Sequence, residues 1–221
     1  MSRTSTSLFR ITLTAAILGL SILASPQAKA DLISNGDFAT GNLTGWTPFV
    51  TSNGTNGSGL PAVASFNTTG TGASNSARFA VGQRSFESGI EEGGGISQTI
   101  NVTTPSYYVF RAAVASQDIG GIGNKSAGLF SILIDGTTVG SVNLGSSFGT
   151  KRGTLVGGLT LPPGTYTFSV KITRPFISTS TTPNQYVTDI SGSPGVPEPS
   201  SILLLGSGVL GLAQVIRRKL M

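Results

Sequence analysis

The chain has 221 residues, with 14 basic and nine acidic side chains and neither cysteine nor histidine. Without these two residue types it holds no disulfide, no Cys-His or Ser-His-Asp catalytic machinery and no ordinary zinc site. The formal net charge of +5 comes from the two ends, because residues 31–195 carry eight basic and eight acidic side chains, and this balance excludes a phosphate-neutralising nucleic-acid surface.

The N-terminal residues 1–30 have the organisation of a secretory signal peptide. Two arginines form a positive n-region, residues 11–24 form an apolar h-region, and Ala28 and Ala30 form an A-x-A site. We therefore predict cleavage before Asp31 and export of the rest of the chain. The alternative is an N-terminal membrane anchor, for which the apolar run is short.

The segment of residues 31–190 shows the period-two alternation of half-buried β-strands. The clearest case is Tyr166–Ile172, whose apolar residues alternate with Thr, Ser and Lys. Asp135-Gly136 predicts a tight hairpin turn after the apolar run Leu129–Ile134, and Leu161–Gly164 predicts another turn. Further predicted strands are Ile96–Val102, Tyr108–Val114, Thr137–Val142 and Tyr186–Ile190. Short strands and frequent turns predict an all-β fold, an antiparallel β-sandwich.

Three stretches are predicted to lie outside the regular strands. Thr51–Gly59 and Asn67–Ser76 are rich in small polar residues and indicate long loops or irregular edge strands. Residues 191–199 are rich in Pro, Gly and Ser, and we predict that they form a linker between the domain and a membrane.

Two further stretches suggest chemistry. Glu87, Glu91 and Glu92 lie among glycines, and paired carboxylates are what glycoside hydrolysis needs, so a carboxylate-dependent glycoside hydrolase is one alternative. The other alternative is a solvated acidic loop.

Residues 120–126 hold three glycines and a lysine, but Asn124 stands where a phosphate-binding loop needs its last glycine. This stretch is therefore predicted to connect two strands.

Aromatic side chains are the candidates for ligand contact. Trp46 is the only tryptophan, and an exposed Trp46, Tyr107 or Phe176 would offer a flat apolar face to a sugar. For Trp46, burial in the core is the favoured interpretation and ligand contact is the alternative.

Residues at both ends of the predicted sandwich form a pattern that resembles the galactose-binding-like jelly rolls, a shape shared with many carbohydrate-binding modules. The matching stretches are Leu32–Phe38, Gly45-Trp46, Pro163–Phe168 and Tyr186–Ile190. The resemblance implies a structural calcium ion near the first and last strands, with Asp37, Asp189 and the Asn35 carbonyl as ligands. Ala39 stands where these domains commonly carry an acidic residue, and turn-forming or capping roles are the alternative for both aspartates.

The C-terminus has three parts in sequence. Pro197-Glu198-Pro199 is a stiff polar hinge, residues 200–216 are uncharged and apolar, and the cluster Arg217-Arg218-Lys219 follows. At 1.5 Å per residue the apolar run spans roughly 25 Å as a helix, which is just enough to cross a bilayer core. We predict a transmembrane helix over 200–216, with residues 217–221 in the cytoplasm. The alternative is a buried C-terminal helix of a soluble domain.

This tail resembles the PEP-CTERM sorting signal of exported proteins of Gram-negative bacteria. The resemblance rests on Pro197, Glu198 and Pro199, on the apolar run after them, and on Arg217, Arg218 and Lys219. It implies insertion in the inner membrane with the domain outside the cytoplasm. It also implies recognition near the Pro-Glu-Pro hinge by a membrane transpeptidase of the exosortase type, followed by release to the cell surface or beyond.

Together these patterns predict an exported, non-catalytic surface or extracellular-matrix protein that binds polysaccharide, with exopolysaccharide as the expected partner. A purely structural surface protein and the glycoside hydrolase remain the alternatives. A structural calcium ion is the cofactor that the jelly-roll resemblance implies.

Overall fold

The computed structural model describes residues 31–179 and 181–195. The described residues contain twelve β-strands. These are β1 (Thr47–Val50), β2 (Gly54–Thr55), β3 (Ala62–Phe66), β4 (Ser74–Phe79), β5 (Gly82–Gln83), β6 (Glu91–Val102), β7 (Ser106–Gln117), β8 (Leu129–Ile134), β9 (Thr137–Asn143), β10 (Thr150–Leu161), β11 (Gly164–Pro175) and β12 (Asn184–Pro194). The expected all-β fold is thereby confirmed.

Two five-stranded sheets form a jelly-roll-like sandwich. The first sheet has the order β1-β6-β11-β8-β9 and the second has the order β10-β7-β12-β4-β3, while β2 and β5 form a separate short pair. Every pairing is antiparallel. Connections such as β7 to β8 and β9 to β10 pass from one sheet to the other, so neighbouring loops at an end of the sandwich come from distant parts of the chain.

Aromatic side chains from both sheets fill the space between them. Phe38, Phe110 and Phe168 are fully buried. The ring centroids of Phe110 and Phe168 are 5.2 Å apart, and those of Trp46 and Phe168 are 6.0 Å apart. Burying each phenylalanine contributes roughly 1.5–3 kcal/mol of transfer free energy. This core stabilises the domain without any disulfide.

The predicted hairpin turn is confirmed. Asp135 and Gly136 connect β8 to β9 with φ values of +48° and +79°. Positive φ at both positions is the geometry of a type I′ turn, which an Asp-Gly pair adopts at low cost. The turn at Leu161–Gly164 likewise connects β10 to β11.

The expected acidic loop around Glu91 and Glu92 is wrong, because both residues begin β6 and Glu92 is buried. The glycines that suggested a loop continue the strand. A side chain at Gly94 would overlap Asn56 Oδ1 and approach the Phe49 carbonyl oxygen at 2.5 Å. Glycine is therefore needed here for close packing. The prediction of a loop was wrong because it relied on a glycine content that is typical of turns.

The predicted linker is shorter than expected. Residues 191–194 belong to β12 and pair with β7, and the Gly195 amide donates to the Tyr107 carbonyl at 2.6 Å. The strand continues past Ile190 because its register shifts between Thr188 and Ser191, where Asp189 adopts a φ of +51°. After this bulge, β12 resumes its pairing with β7 at Ser191.

The signal peptide of residues 1–30, the Pro-Glu-Pro hinge, the helix of 200–216 and the tail of 217–221 lie outside the described residues. Across residues 31–179 and 181–195, no helix has the length and apolar character needed to span a bilayer.

Candidate functional site

Five loops gather at one end of the sandwich, which we call the loop end. It comprises the loops of residues 51–53, 84–90, 118–128, 144–149 and 176–183, of which residue 180 is not described. The register places them together, because the end of β11 pairs with the start of β6 and the start of β8, while the start of β10 and the start of β12 both pair with the end of β7.

Exposed apolar side chains concentrate at the loop end. Nine large hydrophobic residues are exposed in the part of the chain that the structure describes, and six lie in these loops: Phe86, Ile90, Ile119, Ile122, Phe148 and Phe176. A seventh, Val50, ends β1 next to the first loop. Phe148 is 78% exposed. Phe86 and Phe176 pack edge to face with ring centroids 5.4 Å apart. Single exposed apolar residues are ordinary on a surface, but a concentration of this kind marks an interaction surface.

Asn124 connects three of the loops. Its backbone exchanges two hydrogen bonds with Ser147, at 2.7 and 2.8 Å. Its Nδ2 donates to the Thr181 carbonyl at 2.7 Å, and its Oδ1 accepts from the Ser126 amide at 3.0 Å. These bonds fix the 118–128, 144–149 and 176–183 loops relative to one another, so the surface they form is ordered before any ligand binds.

A polar depression of about 350 Å³ lies among these loops. Asn124, Lys125, Ser147 and Thr179 contribute polar groups to its lining, while Ile122 and Phe148 contribute apolar ones. Its volume falls in the roughly 300–1,000 Å³ range of small-ligand sites, but it is a shallow depression whose lining is more polar than the mostly apolar lining usual for such sites.

A buried cation lies behind this depression. Arg174 is 3% exposed, and its Nη2 donates to Asn124 Oδ1 at 3.0 Å. Its Nε has no hydrogen-bond partner. Burial lowers the pKa of Arg174 to about 10 because the charged form loses its hydration, so the side chain still carries its positive charge at neutral pH.

The carboxylate nearest in register, that of Glu92, does not neutralise Arg174. The two residues are cross-strand partners on β6 and β11, but Glu92 Oε1 accepts from the Ser52 hydroxyl at 3.1 Å. Hydrogen bonding by the Thr51 side chain, and then by Ser52, lowers the pKa of Glu92. Both side chains lie on the inner face of the first sheet, but Glu92 bonds to Ser52 and Arg174 bonds to Asn124.

Glu91 and Glu92 do not form a facing carboxylate pair. They are consecutive in β6, and consecutive strand residues point to opposite faces of the sheet. Glu91 Oε2 accepts from the Thr173 hydroxyl at 3.3 Å on the outer face, while Glu92 lies buried on the inner face. The sheet separates the two groups, so Glu91 and Glu92 do not face each other as a carboxylate pair would.

The structure separates the three predicted ligand-binding aromatics. Trp46 is only 6% exposed and its Nε1 donates to the Asn35 carbonyl at 3.0 Å, so it belongs to the core and offers no face to a ligand. Tyr107 is 53% exposed but lies in β7 of the second sheet. Of the three, Phe176 alone reaches the loop end. Sequence reasoning missed Phe148, Lys125 and Ser147 as site residues.

Asp37 and Asp189 line one shallow depression of about 420 Å³, together with Asp31. Asp37 Oδ1 accepts from the Ala39 amide at 3.1 Å, and the Asn35 carbonyl accepts from Trp46. No group of three or more acidic side chains in the described part of the chain is arranged to hold a metal ion. These oxygens fall short of the six to eight that calcium takes, so the calcium ion stays a prediction of the jelly-roll resemblance.

Comparison with known proteins places the C-terminus in a defined class. Residues 195–219 match the family model of the PEP-CTERM protein-sorting motif. This match confirms the sorting signal and indicates an exported protein that is sorted at the membrane. No curated protein matches the chain.

Solved structures similar to the domain include sugar-binding and other proteins. The TmCBM61 module in complex with β-1,4-galactotriose is 12% identical with a TM-score of 0.46, covering 75% of this chain and 99% of that one. The CBM22-1 xylan-binding domain from Paenibacillus barcinonensis Xyn10C is 13% identical with a TM-score of 0.41, covering 77% and 97%. A Stig cyclase, Fisc, from Fischerella sp. TAU is 13% identical with a TM-score of 0.46, covering 77% and 100%.

Proposed function

We propose that this protein is an exported, non-catalytic polysaccharide-binding protein whose ligand surface is the loop end. The observation that carries the proposal is the concentration of exposed apolar side chains around a polar depression. A sugar ring presents an apolar C–H face and a polar hydroxyl edge. Phe148 and Ile122 suit the first, and the amide and hydroxyl groups of Asn124 and Ser147 suit the second.

The sorting signal determines where this binding takes place. In our proposal the helix of residues 200–216 holds the protein in the inner membrane, with residues 31–195 outside the cytoplasm. An exosortase-type transpeptidase then acts near Pro197-Glu198-Pro199, and the domain passes to the cell surface or the extracellular matrix. There the polysaccharide made by the same cell is the ligand at highest local concentration.

The test is a pull-down of the exported protein with the exopolysaccharide of the producing cells. Phe148→Ala should weaken binding about tenfold, because truncating a central aromatic contact commonly costs more than 1 kcal/mol. The matched control is Tyr107→Ala, which removes an exposed aromatic from β7, and it should leave binding unchanged.

Two outcomes would contradict the proposal. If the protein binds no polysaccharide, a purely structural role at the surface replaces it. If Tyr107→Ala weakens binding and Phe148→Ala does not, the binding surface lies on the second sheet and the loop end has another role.

A further inference from the structure

The charges around the loop-end depression are unevenly balanced. Lys125 lines the depression and Arg174 lies behind Asn124. Among the described residues, no acidic side chain lines the depression, and the carboxylate opposite Arg174 in register, that of Glu92, accepts from the Ser52 hydroxyl. The acidic group on the same loop is Asp118, and both of its oxygens are already engaged, with Oδ1 accepting from the Gly120 amide and Oδ2 from the Gly123 amide.

A buried hydroxyl in the lining of the depression lacks a partner. Ser147 lines the depression, is 4% exposed, and its Oγ makes no hydrogen bond. Behind Asn124, the Nε of Arg174 and the Oε2 of its cross-strand partner Glu92 are also unpaired, but neither residue lines the depression. Buried polar groups in native proteins nearly always have partners, so the unpaired Ser147 hydroxyl indicates that the depression is completed by something that binds there.

We propose that the depression binds the carboxylate of a uronic-acid residue in an acidic polysaccharide. This inference rests on the proposed function and specifies its ligand class. Lys125 contacts the carboxylate directly, Ser147 donates a hydrogen bond after a small adjustment, and Phe148 packs against the apolar face of the same sugar ring. Arg174 acts through its charge, because its guanidinium is buried behind Asn124 and does not reach the ligand.

The net charge of the whole domain supports this proposal. Residues 31–195 carry no net charge, so a general attraction of polyanions to a basic protein does not arise. An acidic polymer would be attracted only by a local excess of positive charge, and the lining of the depression provides one, because it contains Lys125 and no acidic side chain. An exposed pair of opposite charges contributes up to about 1 kcal/mol, which corresponds to about fivefold in affinity.

The experiment measures binding of the exported protein to three polymers: a polyuronate, the same polymer after chemical reduction of its carboxyl groups to alcohols, and double-stranded DNA. We expect at least tenfold tighter binding to the polyuronate than to the reduced polymer or the DNA. Lys125→Gln should weaken polyuronate binding about fivefold, and Arg174→Met, which removes a charge that does not contact the ligand, should weaken it less. Both variants should leave binding to the reduced polymer unchanged. The charge-matched control Arg111→Gln, an exposed position in β7, should alter neither.

The other outcomes separate failure of this inference from failure of the proposed function. Equal binding to the polyuronate and its reduced form overturns the acidic-sugar inference and leaves polysaccharide binding intact. Equal binding to DNA and the polyuronate also overturns it, because the site would then respond to negative charge alone. Binding to none of the polymers, nor to the producer's own exopolysaccharide, overturns both.

Discussion

Replacing Arg174 by methionine tests whether the positive charge of Arg174 stabilises the fold or serves ligand binding instead. Methionine keeps an unbranched side chain of similar length on the inner face of β11 and removes the charge. The lost hydrogen bond leaves no new unpaired acceptor, because Asn124 Oδ1 still accepts from the Ser126 amide. Two opposing contributions therefore determine the change in the free energy of unfolding.

The magnitudes of the two contributions are similar. Burial lowers the pKa of Arg174 to about 10, which corresponds, at 1.36 kcal/mol for each unit of pKa, to a desolvation cost of about 3 kcal/mol. This cost applies below about pH 10, where the folded state holds the cation, and is relieved as the pH rises above that value. A hydrogen bond from a charged donor contributes about 1.5–3 kcal/mol in the other direction. At pH 7 we expect Arg174→Met to lie within about 1.5 kcal/mol of the wild type.

Urea unfolding followed by the fluorescence of Trp46, the single tryptophan, measures this difference. The exposed control Arg111→Met should change the free energy of unfolding by less than about 0.5 kcal/mol. A loss above about 3 kcal/mol in Arg174→Met would refute the reasoning, since that is the cost of breaking a buried ion pair and would mean that Arg174 has a carboxylate partner.

Three further predictions follow from the structure and the tail. Trp46→Phe should lower the free energy of unfolding by about 1–3 kcal/mol in a urea titration followed by circular dichroism, since the variant has no tryptophan, because the Asn35 carbonyl loses its indole donor; an unchanged value would contradict the burial of that bond. If Asp37 and Asp189 hold the calcium ion that the jelly-roll resemblance implies, a chelator should lower the melting temperature of the domain and Asp189→Asn should reproduce that loss; an unchanged melting curve in chelator would contradict the calcium prediction. Glu198→Ala should keep the protein inserted but impair processing, so mass spectrometry should find an uncleaved C-terminus; normal cleavage of this variant would contradict recognition of the hinge.

The sequence predicted the strands whose inward positions carry apolar side chains. Tyr166–Ile172 and the hairpin at Asp135-Gly136 are clear cases, because alternation and turn chemistry are both local properties. Strand β10 was missed because Gly153 and Gly157 take inward positions where an apolar side chain would signal a strand. A side chain at Gly157 would lie 2.8 Å from Val139, so the close approach of β9 selects glycine and removes the pattern.

The candidate site could not be assembled from the sequence, because its members are brought together by loops that cross between the sheets. Asn124, Ser147 and Arg174 lie in three separate parts of the chain and meet through hydrogen bonds that no local pattern records. In the sequence, Asn124 was noted only because it stands where a phosphate-binding loop needs its last glycine. Phe176 was found from its residue type alone, and the same reasoning wrongly included Trp46, since aromatic identity does not indicate burial.

The central claim is that the loop end binds polysaccharide, and amide hydrogen exchange of the exported protein tests it most directly. With saturating exopolysaccharide from the producing cells, exchange should slow in residues 118–128 and 144–149, which form the depression. Exchange along β7 near Tyr107 should stay the same. Slowing confined to β7 and its neighbours in the second sheet, with the two loops unaffected, would contradict the account.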